Sequence, residues 1–364
     1  MSLLRSLALS FVLVGICIVY VPTRGEVFGP ALCGDARWYA AMIDGSEVVA
    51  EPYRFRLLVP LLASLLPLSP SSALAAVSWA SLLATYTLLL ETARRLHIAR
   101  LSSAVGLAAA IFTAPHLYNY FNPYLTDASG LLALTVALYA LVTGRHVLFT
   151  IACTLGAAVR EPVVCVAPAW GATRQWRRTA ASVALSAAAL LAVRLSVGPS
   201  GLPEKGPFVF PARPLSAVFA DALVAWNGLW LIVPIGLSLV SVRRRELAWF
   251  SAFLLASALV TSLLASDTMR MFQPLFPCCA LGLSVFVEQL WRTSRAATVA
   301  LLVSFFATSW VWQPVRFLAL TPHSRASNIA QASALGLLAF VAVVAVLVWR
   351  RADGLRSEAQ TEAA

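Results

Sequence analysis

Charge is what this chain has least of. Only 12% of its 364 residues are Asp, Glu, Lys or Arg, about half of what a soluble globular protein carries. Lys205 is the single lysine among 27 basic residues. So little charge cannot clothe a large solvated surface, which excludes an ordinary soluble enzyme. Histidine is scarce too, and His97, His116, His146 and His323 are scattered without forming a ligand pair. Five of the six cysteines, Cys17, Cys153, Cys165, Cys278 and Cys279, sit in apolar segments and only Cys33 in a polar loop. Neither a disulfide framework nor a metal-ligand spacing follows from that distribution. Internal repeats, low-complexity tracts and coiled-coil heptads are missing as well.

What the chain does have is apolar length. Apolar residues make up 60% of it and the mean hydropathy is +0.81. A hydrocarbon layer roughly 30 Å thick needs about 20 mainly apolar residues per helix, and such runs recur along the whole sequence. They predict an all-α fold, a polytopic transmembrane helical bundle with spans at 3–21, 72–93, 102–118, 127–143, 178–197, 215–240, 247–264, 270–290, 296–313 and 331–349. The first run lacks a small-x-small cleavage site at Pro22-Thr23-Arg24-Gly25, so it reads as an uncleaved span and not as a signal peptide. A single transmembrane domain over 1–351 and a short disordered cytoplasmic tail over 352–364 are expected.

Arginine sets the orientation, because short cytoplasmic loops retain basic residues. The clusters Arg94/Arg95/Arg100, Arg174/Arg177/Arg178, Arg243/Arg244/Arg245, Arg292/Arg295 and Arg350/Arg351 fit on one side together with Arg5, Arg145 and Arg356. Both termini are then cytoplasmic, and Arg160 and Arg194 lie within the membrane. The net charge of +11 is a topology signal, and no nucleic-acid partner is read from it. Two apolar stretches must not cross for this solution to hold. Residues 55–68, with Pro60 and Pro67, fit a juxtamembrane helix on the outer face. Residues 146–170 carry Arg160-Glu161-Pro162 at their middle and fit two re-entrant half-helices meeting inside the membrane, where protein or a wet cavity surrounds the break. The preference for Ala and Arg over Lys points to a GC-rich bacterial genome, and hence to a multi-pass inner-membrane protein of the cell envelope.

Chemistry concentrates on the outer face. The longest loop, 23–56, contains Cys33-Gly-Asp-Ala-Arg-Trp-Tyr39 and Glu51-Pro-Tyr-Arg-Phe-Arg56. A carboxylate such as Asp35 can take a proton, Arg37, Arg54 and Arg56 can bind phosphate, and Trp38, Tyr39 and Tyr53 can stack on sugars. The same residues equally fit an aromatic interfacial belt with self-paired charges. In Tyr118-Asn-Tyr-Phe-Asn-Pro-Tyr-Leu-Thr-Asp127, Thr126 is placed to cap a helix and Asp127 to sit at its positive end. Asp267 and Arg270 invite a local pair, and Pro274 and Pro277 a kink. Arg160 and Glu161 are ionisable at bilayer depth, so they either pair with each other or face a ligand cavity.

The order of these parts resembles the GT-C superfamily of membrane glycosyltransferases, of the mannosyltransferase and aminoarabinose-transferase kind. The resemblance rests on an early loop acid, a Pro-rich juxtamembrane helix, a span ending in Arg94-Arg95 and Leu125-Thr126-Asp127 opening a span. It also rests on Gly156-Ala-Ala-Val-Arg-Glu-Pro162 and Arg270-Met-Phe-Gln-Pro-Leu-Phe-Pro277. It covers roughly residues 1–290. It implies transfer of a sugar from a polyprenyl-phosphate donor, in a lipid bilayer, to a glycan, lipid or protein hydroxyl on the extracytoplasmic face. Asp35 matches the first-loop acid and would be the catalytic base. Asp127 matches the second-loop acid and would position the acceptor or, with Asp35, hold a divalent cation. Arg37, Arg54, Arg56, Arg160, Glu161 and Arg270 complete the expected substrate and phosphate set. The chain departs from the pattern in having no Asp-x-Asp pair, no Trp-Trp-Asp motif and no C-terminal external domain. A transporter or lipid flippase, or a non-catalytic subunit of an envelope-polysaccharide assembly, is the alternative class.

Overall fold

The computed structural model describes residues 3–23, 34–46, 49, 53–198, 233–241, 244–264 and 268–318. The regular structure among the described residues is all helical, as the apolar runs predict. Helix α1 spans Leu3–Tyr20, α2 Gly34–Ile43, α3 Leu58–Ser64, α4 Pro70–Arg95, α5 Arg100–Ile111, α6 Ala114–Phe121 and α7 Asp127–Val142. Then come α8 His146–Gly156, a 3-10 segment Glu161–Thr173, α9 Trp176–Val197, α10 Val233–Ser241 and α11 Arg245–Leu264. The short α12 Thr268–Met271, the longer α13 Phe276–Thr293 and α14 Arg295–Leu318 complete the described residues. Most of the expected span at 215–240, the span at 331–349 and the tail 352–364 lie outside the described residues, as do Cys33, Glu51 and Asp267.

Among the described residues five helices are long and apolar enough to cross a membrane, and a bent pair makes a sixth. The chain is a polytopic helical membrane protein, but not every expected span is one straight helix. The expected span at 102–118 is broken, its halves Arg100–Ile111 and Pro115–Phe121 meeting at 68°. Pro115 sits in the first turn of α6, where its missing N–H costs nothing, but it cannot continue a helix arriving from α5. The span at 270–290 is likewise interrupted. A 3-10 turn over Gln273–Leu275 separates α12 from α13, as Pro274 and Pro277 lead one to expect.

Residues 146–170 do turn back. The His146 ring at the start of α8 packs edge-on against Trp170 near the end of the following segment at 4.9 Å, and Phe149 lies 5.2 Å from the same indole. The chain therefore runs out along α8 and returns beside it. The returning half is 3-10 and not α, because Pro168 lies inside it and can neither donate to the helical ladder nor clear the preceding turn. The juxtamembrane expectation at 55–68 is met by α3. Val59 and Ala63 are buried while Leu61, Leu62 and Leu65 are exposed, an apolar outer face suited to lipid.

Polar side chains and small residues join the helices where apolar packing alone would not fix register. Ser69 caps α4 and Pro70 opens it, while Arg94 and Arg95 close it against the negative end of its dipole. Ser6 of α1 donates to Glu91 of α4 at 3.0 Å, and Ser81 of α4 meets Ser129 of α7 at 2.9 Å. The backbone N–H of Ala99, just before α5, donates to Glu288 of α13 at 2.9 Å. At Gly236 and Gly282 the backbones of α10 and α13 touch, and a Cβ on Gly236 would collide with the Gly282 carbonyl. Such close approach is how helices pack in lipid, where no hydrophobic force separates inside from outside.

A smaller apolar cluster fixes the outer loop. Ala36 and Tyr39 on one face of α2 are buried against Val59, Ala63, Ala73 and Leu74 of α3 and α4. That contact clamps α2 beside the first turn of α7 and holds Asp35, one residue from Ala36, at a fixed place.

Candidate active site

Six chain segments that are distant in sequence bring their charges to one end of the bundle. Asp127 opens α7 and is 1% exposed. Gly130, one turn on, lets the Arg160 side chain lie against the helix, with a built Cβ only 3.3 Å from Arg160 Cβ. The backbone at Arg160 is extended between the two halves of the re-entrant pair, which aims its guanidinium at one Asp127 oxygen in an ion pair. Arg160 also donates to Gln273 Oε1 at 3.4 Å. The second Asp127 oxygen accepts from Arg270 Nε at 3.0 Å and forms an ion pair with Arg270 Nη2 at 2.8 Å. Arg270 then reaches out with Nη1 to pair with Asp35.

An isolated charge at this depth would be prohibitively costly, and two carboxylates against two guanidiniums is the arrangement that cancels it. Asp35 differs from Asp127 in keeping 22% of its side chain exposed. Burial by itself would push its carboxyl upward, but the charge and hydrogen bond of Arg270, together with the Tyr53 hydroxyl, carry it below the ordinary 3.8. The Tyr53 hydroxyl is in turn pushed up by burial and by the neighbouring carboxylate. Asp35 is thus ionised at neutral pH, with part of it open to an incoming group.

A second charge group adjoins the first. Glu161 accepts from Arg56 at 3.3 Å and from Arg194 of α9 at 3.4 Å. Arg56 also donates to the Tyr39 hydroxyl at 3.0 Å, which stands 3.5 Å from Thr126 Oγ1. The Tyr39 and Tyr53 rings meet edge to face at 5.9 Å and separate the two groups. Arg54 donates Nη2 to the Val197 carbonyl at 2.8 Å and ties the loop to the end of α9.

The expected site residues are therefore sorted by the fold. Asp35, Asp127, Arg160 and Arg270 form one cluster and Arg56 and Glu161 a second, Arg54 is bonded to the Val197 carbonyl, and Arg37 stands apart, exposed and stacked on Trp38 at 4.6 Å. Arg160 and Glu161 are not a self-contained pair. Adjacent in sequence at an extended break, they point to different partners, Asp127 and Arg56. Thr126 makes no side-chain cap to α7, because its hydroxyl faces Tyr39. Arg194 and Gln273 were not among the expected residues. An arginine near the end of an otherwise apolar helix carries the same burial cost that marks Arg160, so Arg194 had a sequence signal, whereas Gln273 had none.

Among the described residues no group of three or more His, Cys, Asp or Glu side chains is arranged to hold a metal ion. Asp35 and Asp127 both face Arg270, so a divalent cation shared by the two would have to displace that guanidinium. The donor set fits an anion better than a cation.

No protein-family model matches the sequence, and no curated protein matches it either. A solved structure similar in fold is the crystal structure of ArnT from Cupriavidus metallidurans bound to undecaprenyl phosphate. The two chains share 14% identity with a TM-score of 0.54, and the match covers 96% of this chain and 77% of that one. The likeness is one of fold, that of a polytopic helical membrane protein.

Proposed function

We propose that this protein is a membrane glycosyltransferase that moves a sugar from a polyprenyl-phosphate donor to an acceptor hydroxyl on the extracytoplasmic face. The observation that carries this reading is the partly exposed, ionised Asp35 carboxylate at the edge of an arginine-rich cluster. In the reaction Asp35 takes the proton of the acceptor hydroxyl as its oxygen bonds to the anomeric carbon. The bond from that carbon to the phosphate oxygen breaks, the electron pair leaves with the lipid phosphate, and the sugar inverts. Arg56, Arg160 and Arg270 supply positive charge against the phosphate as its charge develops, and a water-poor setting strengthens that attraction. Asp127 keeps Arg160 and Arg270 in place. The fold likeness to ArnT supports the reading, because that structure holds undecaprenyl phosphate.

One transmembrane domain over residues 1–351 with cytoplasmic termini is part of the proposal. It is supported by the direction of the helices that leave the site: α4 and α13 both run away from it to ends carrying Arg94, Arg95 and Arg292. Helix α9 starts beside Arg177 and Arg178 and arrives at the site with Arg194. The site end is then extracytoplasmic.

The test is sugar release from a panel of radiolabelled polyprenyl-phosphate sugars, with membrane lipids and glycans as acceptors, by wild type and folded Asp35→Asn. Turnover by wild type and a loss of at least about a hundredfold in the variant is the expected result. Equal turnover removes Asp35 as the base, and no turnover with any donor favours transport or a scaffold role.

A further inference from the structure

The arginine clusters at the end of the bundle remote from the site are not alike. Arg94 pairs with Glu91 at 2.8 Å, Arg244 with Glu246 at 3.3 Å and Arg292 with Glu288. Arg145, Arg174, Arg177 and Arg178 have no carboxylate partner among the described residues. From residue 145 to residue 178 the sequence holds one acid, Glu161, and that acid lies in the site. All four arginines are exposed, and Arg178 donates Nη1 only to the neutral Gln175 side chain, at 2.7 Å. The fold gathers them. The His146 ring donates Nε2–H to the Arg178 carbonyl at 2.8 Å and Thr150 meets Ser182 at 2.8 Å. These bonds set the start of α8 level with the start of α9 and bring Arg145 beside Arg177 and Arg178. Arg174 closes the returning 3-10 segment at the same end. Arg177 and Arg178 stand in the first turn of α9, the positive end of its dipole, where no acidic residue or side-chain cap offsets them. Four cations so placed repel one another unless an anion sits among them.

The surroundings say what kind of molecule brings that anion. Trp176 and Trp249 are both exposed at this end, their rings close to Gly171, where a Cβ would press on Trp176 at 3.0 Å. Exposed indoles at a bundle end mark the head-group layer of a bilayer. Val147, Ile151 and Leu155 form an exposed stripe along α8, four residues apart and so on one face. A phosphate held at Arg145 therefore leaves an acyl chain against that stripe, from which a free ion gains nothing. A zwitterionic head group brings an ammonium together with its phosphate, and the four arginines repel it with no carboxylate beside them to receive it. An anionic phospholipid brings the phosphate alone, and guanidiniums bind it in bidentate fashion.

We propose that Arg145, Arg174, Arg177 and Arg178 form a seat for the head group of an anionic phospholipid, at the membrane surface opposite the candidate active site. The seat lies at the base of the re-entrant pair, whose tip carries Arg160 and Glu161. A lipid bound there ties the start of α8, the end of the 3-10 segment and the start of α9 together, and so steadies the hairpin that presents those two residues.

The test uses the full chain in lipid-free detergent and measures binding of a fluorescent phosphatidylglycerol, competed by unlabelled phosphatidylglycerol, phosphatidylcholine or inorganic phosphate. Wild type is compared with Arg177→Gln/Arg178→Gln and with Arg292→Gln/Arg295→Gln, the latter from a cluster that has its own carboxylate. Each arginine at an anionic lipid surface is worth roughly fivefold. Wild type is expected to prefer phosphatidylglycerol over phosphatidylcholine by about tenfold or more, Arg177→Gln/Arg178→Gln to lose that preference, and Arg292→Gln/Arg295→Gln to keep it. Phosphatidylglycerol is also expected to delay the reaction of a thiol dye with the buried Cys153 of α8 on heating, in wild type but not in Arg177→Gln/Arg178→Gln. Equal competition by phosphatidylcholine overturns the proposal, as does an unchanged preference in Arg177→Gln/Arg178→Gln. An equal loss in Arg292→Gln/Arg295→Gln overturns it too, because the whole basic face then attracts lipid without a seat. If inorganic phosphate competes as well as the lipid, the arginines hold a free ion and the lipid seat falls. Should Arg177→Gln/Arg178→Gln fail to fold, Arg145→Gln decides by the same comparison. None of these measurements involves turnover, so the lipid seat and the glycosyltransferase reading stand or fall separately.

Discussion

Replacing Asp127 by Asn keeps the side chain's shape and removes its charge, leaving Arg160 and Arg270 buried with only the partly solvated Asp35 to oppose them. Breaking a buried ion pair by deleting one partner costs roughly 3–5 kcal/mol. Asp127 has two such partners, but neither is left without an acceptor, since Arg160 keeps Gln273 and Arg270 keeps Asp35. The single-pair figure is therefore the right scale, and not its double. Asp35→Asn is milder, about 1–2 kcal/mol, because Arg270 retains Asp127 and Asp35 already meets solvent. The buried thiols of Cys153, Cys278 and Cys279 provide the assay: a thiol-reactive dye reports when the bundle opens on heating in detergent. Asp127→Asn is expected to open well before Asp35→Asn, and Asp127→Asn with Arg160→Met to recover part of the loss, since an apolar replacement of the pair is tolerated. If Asp127→Asn is as stable as wild type, or no worse than Asp35→Asn, the charge-cancelling account of the site is wrong.

The remaining predictions concern pH and packing. The folded carboxyl of Asp35 lies below 3.8, so its contribution to stability is present above that value and is lost as pH falls through the lower folded one. The acid limb of kcat/KM, which reports the free enzyme, is accordingly expected at or below about pH 4, and a midpoint near 6 would exclude Asp35 as the titrating base. Gly236→Val forces α10 away from Gly282 and is expected to cost about 1–3 kcal/mol in the same thermal assay. Glu288→Ala removes the carboxylate that accepts from the Ala99 N–H and is expected to cost about 1 kcal/mol; an unchanged melting profile would mean that this bond does not hold α5 to α13.

Composition and apolar run length were enough to give the fold class, because lipid leaves a spanning backbone no choice but to satisfy itself as helix. The re-entrant stretch was legible for the same reason: Arg160-Glu161-Pro162 at the middle of an apolar run is too costly to cross straight. The break between α5 and α6 was less legible. Pro115 fell near the end of an otherwise acceptable span, and only packing against the neighbouring helices shows where the chain turns by 68°. The acids and arginines of the site could be named individually from their types and places along the chain.

Their pairing could not be read in that way. Asp35, Asp127 and Arg270 are joined across 143 and 235 residues of sequence, and a charge acts on whatever the fold brings near it, not on its chain neighbours. Arg160 and Glu161 make the point most directly: adjacent residues with opposite charges, they serve different clusters because the backbone between the half-helices is extended. The sequence by itself determined that this chain lies in a membrane as helices, with its chemistry gathered at one face, since hydropathy and charge cost are properties of segments. Which guanidinium meets which carboxylate was decided only by tertiary structure, because electrostatic pairing is a property of distances.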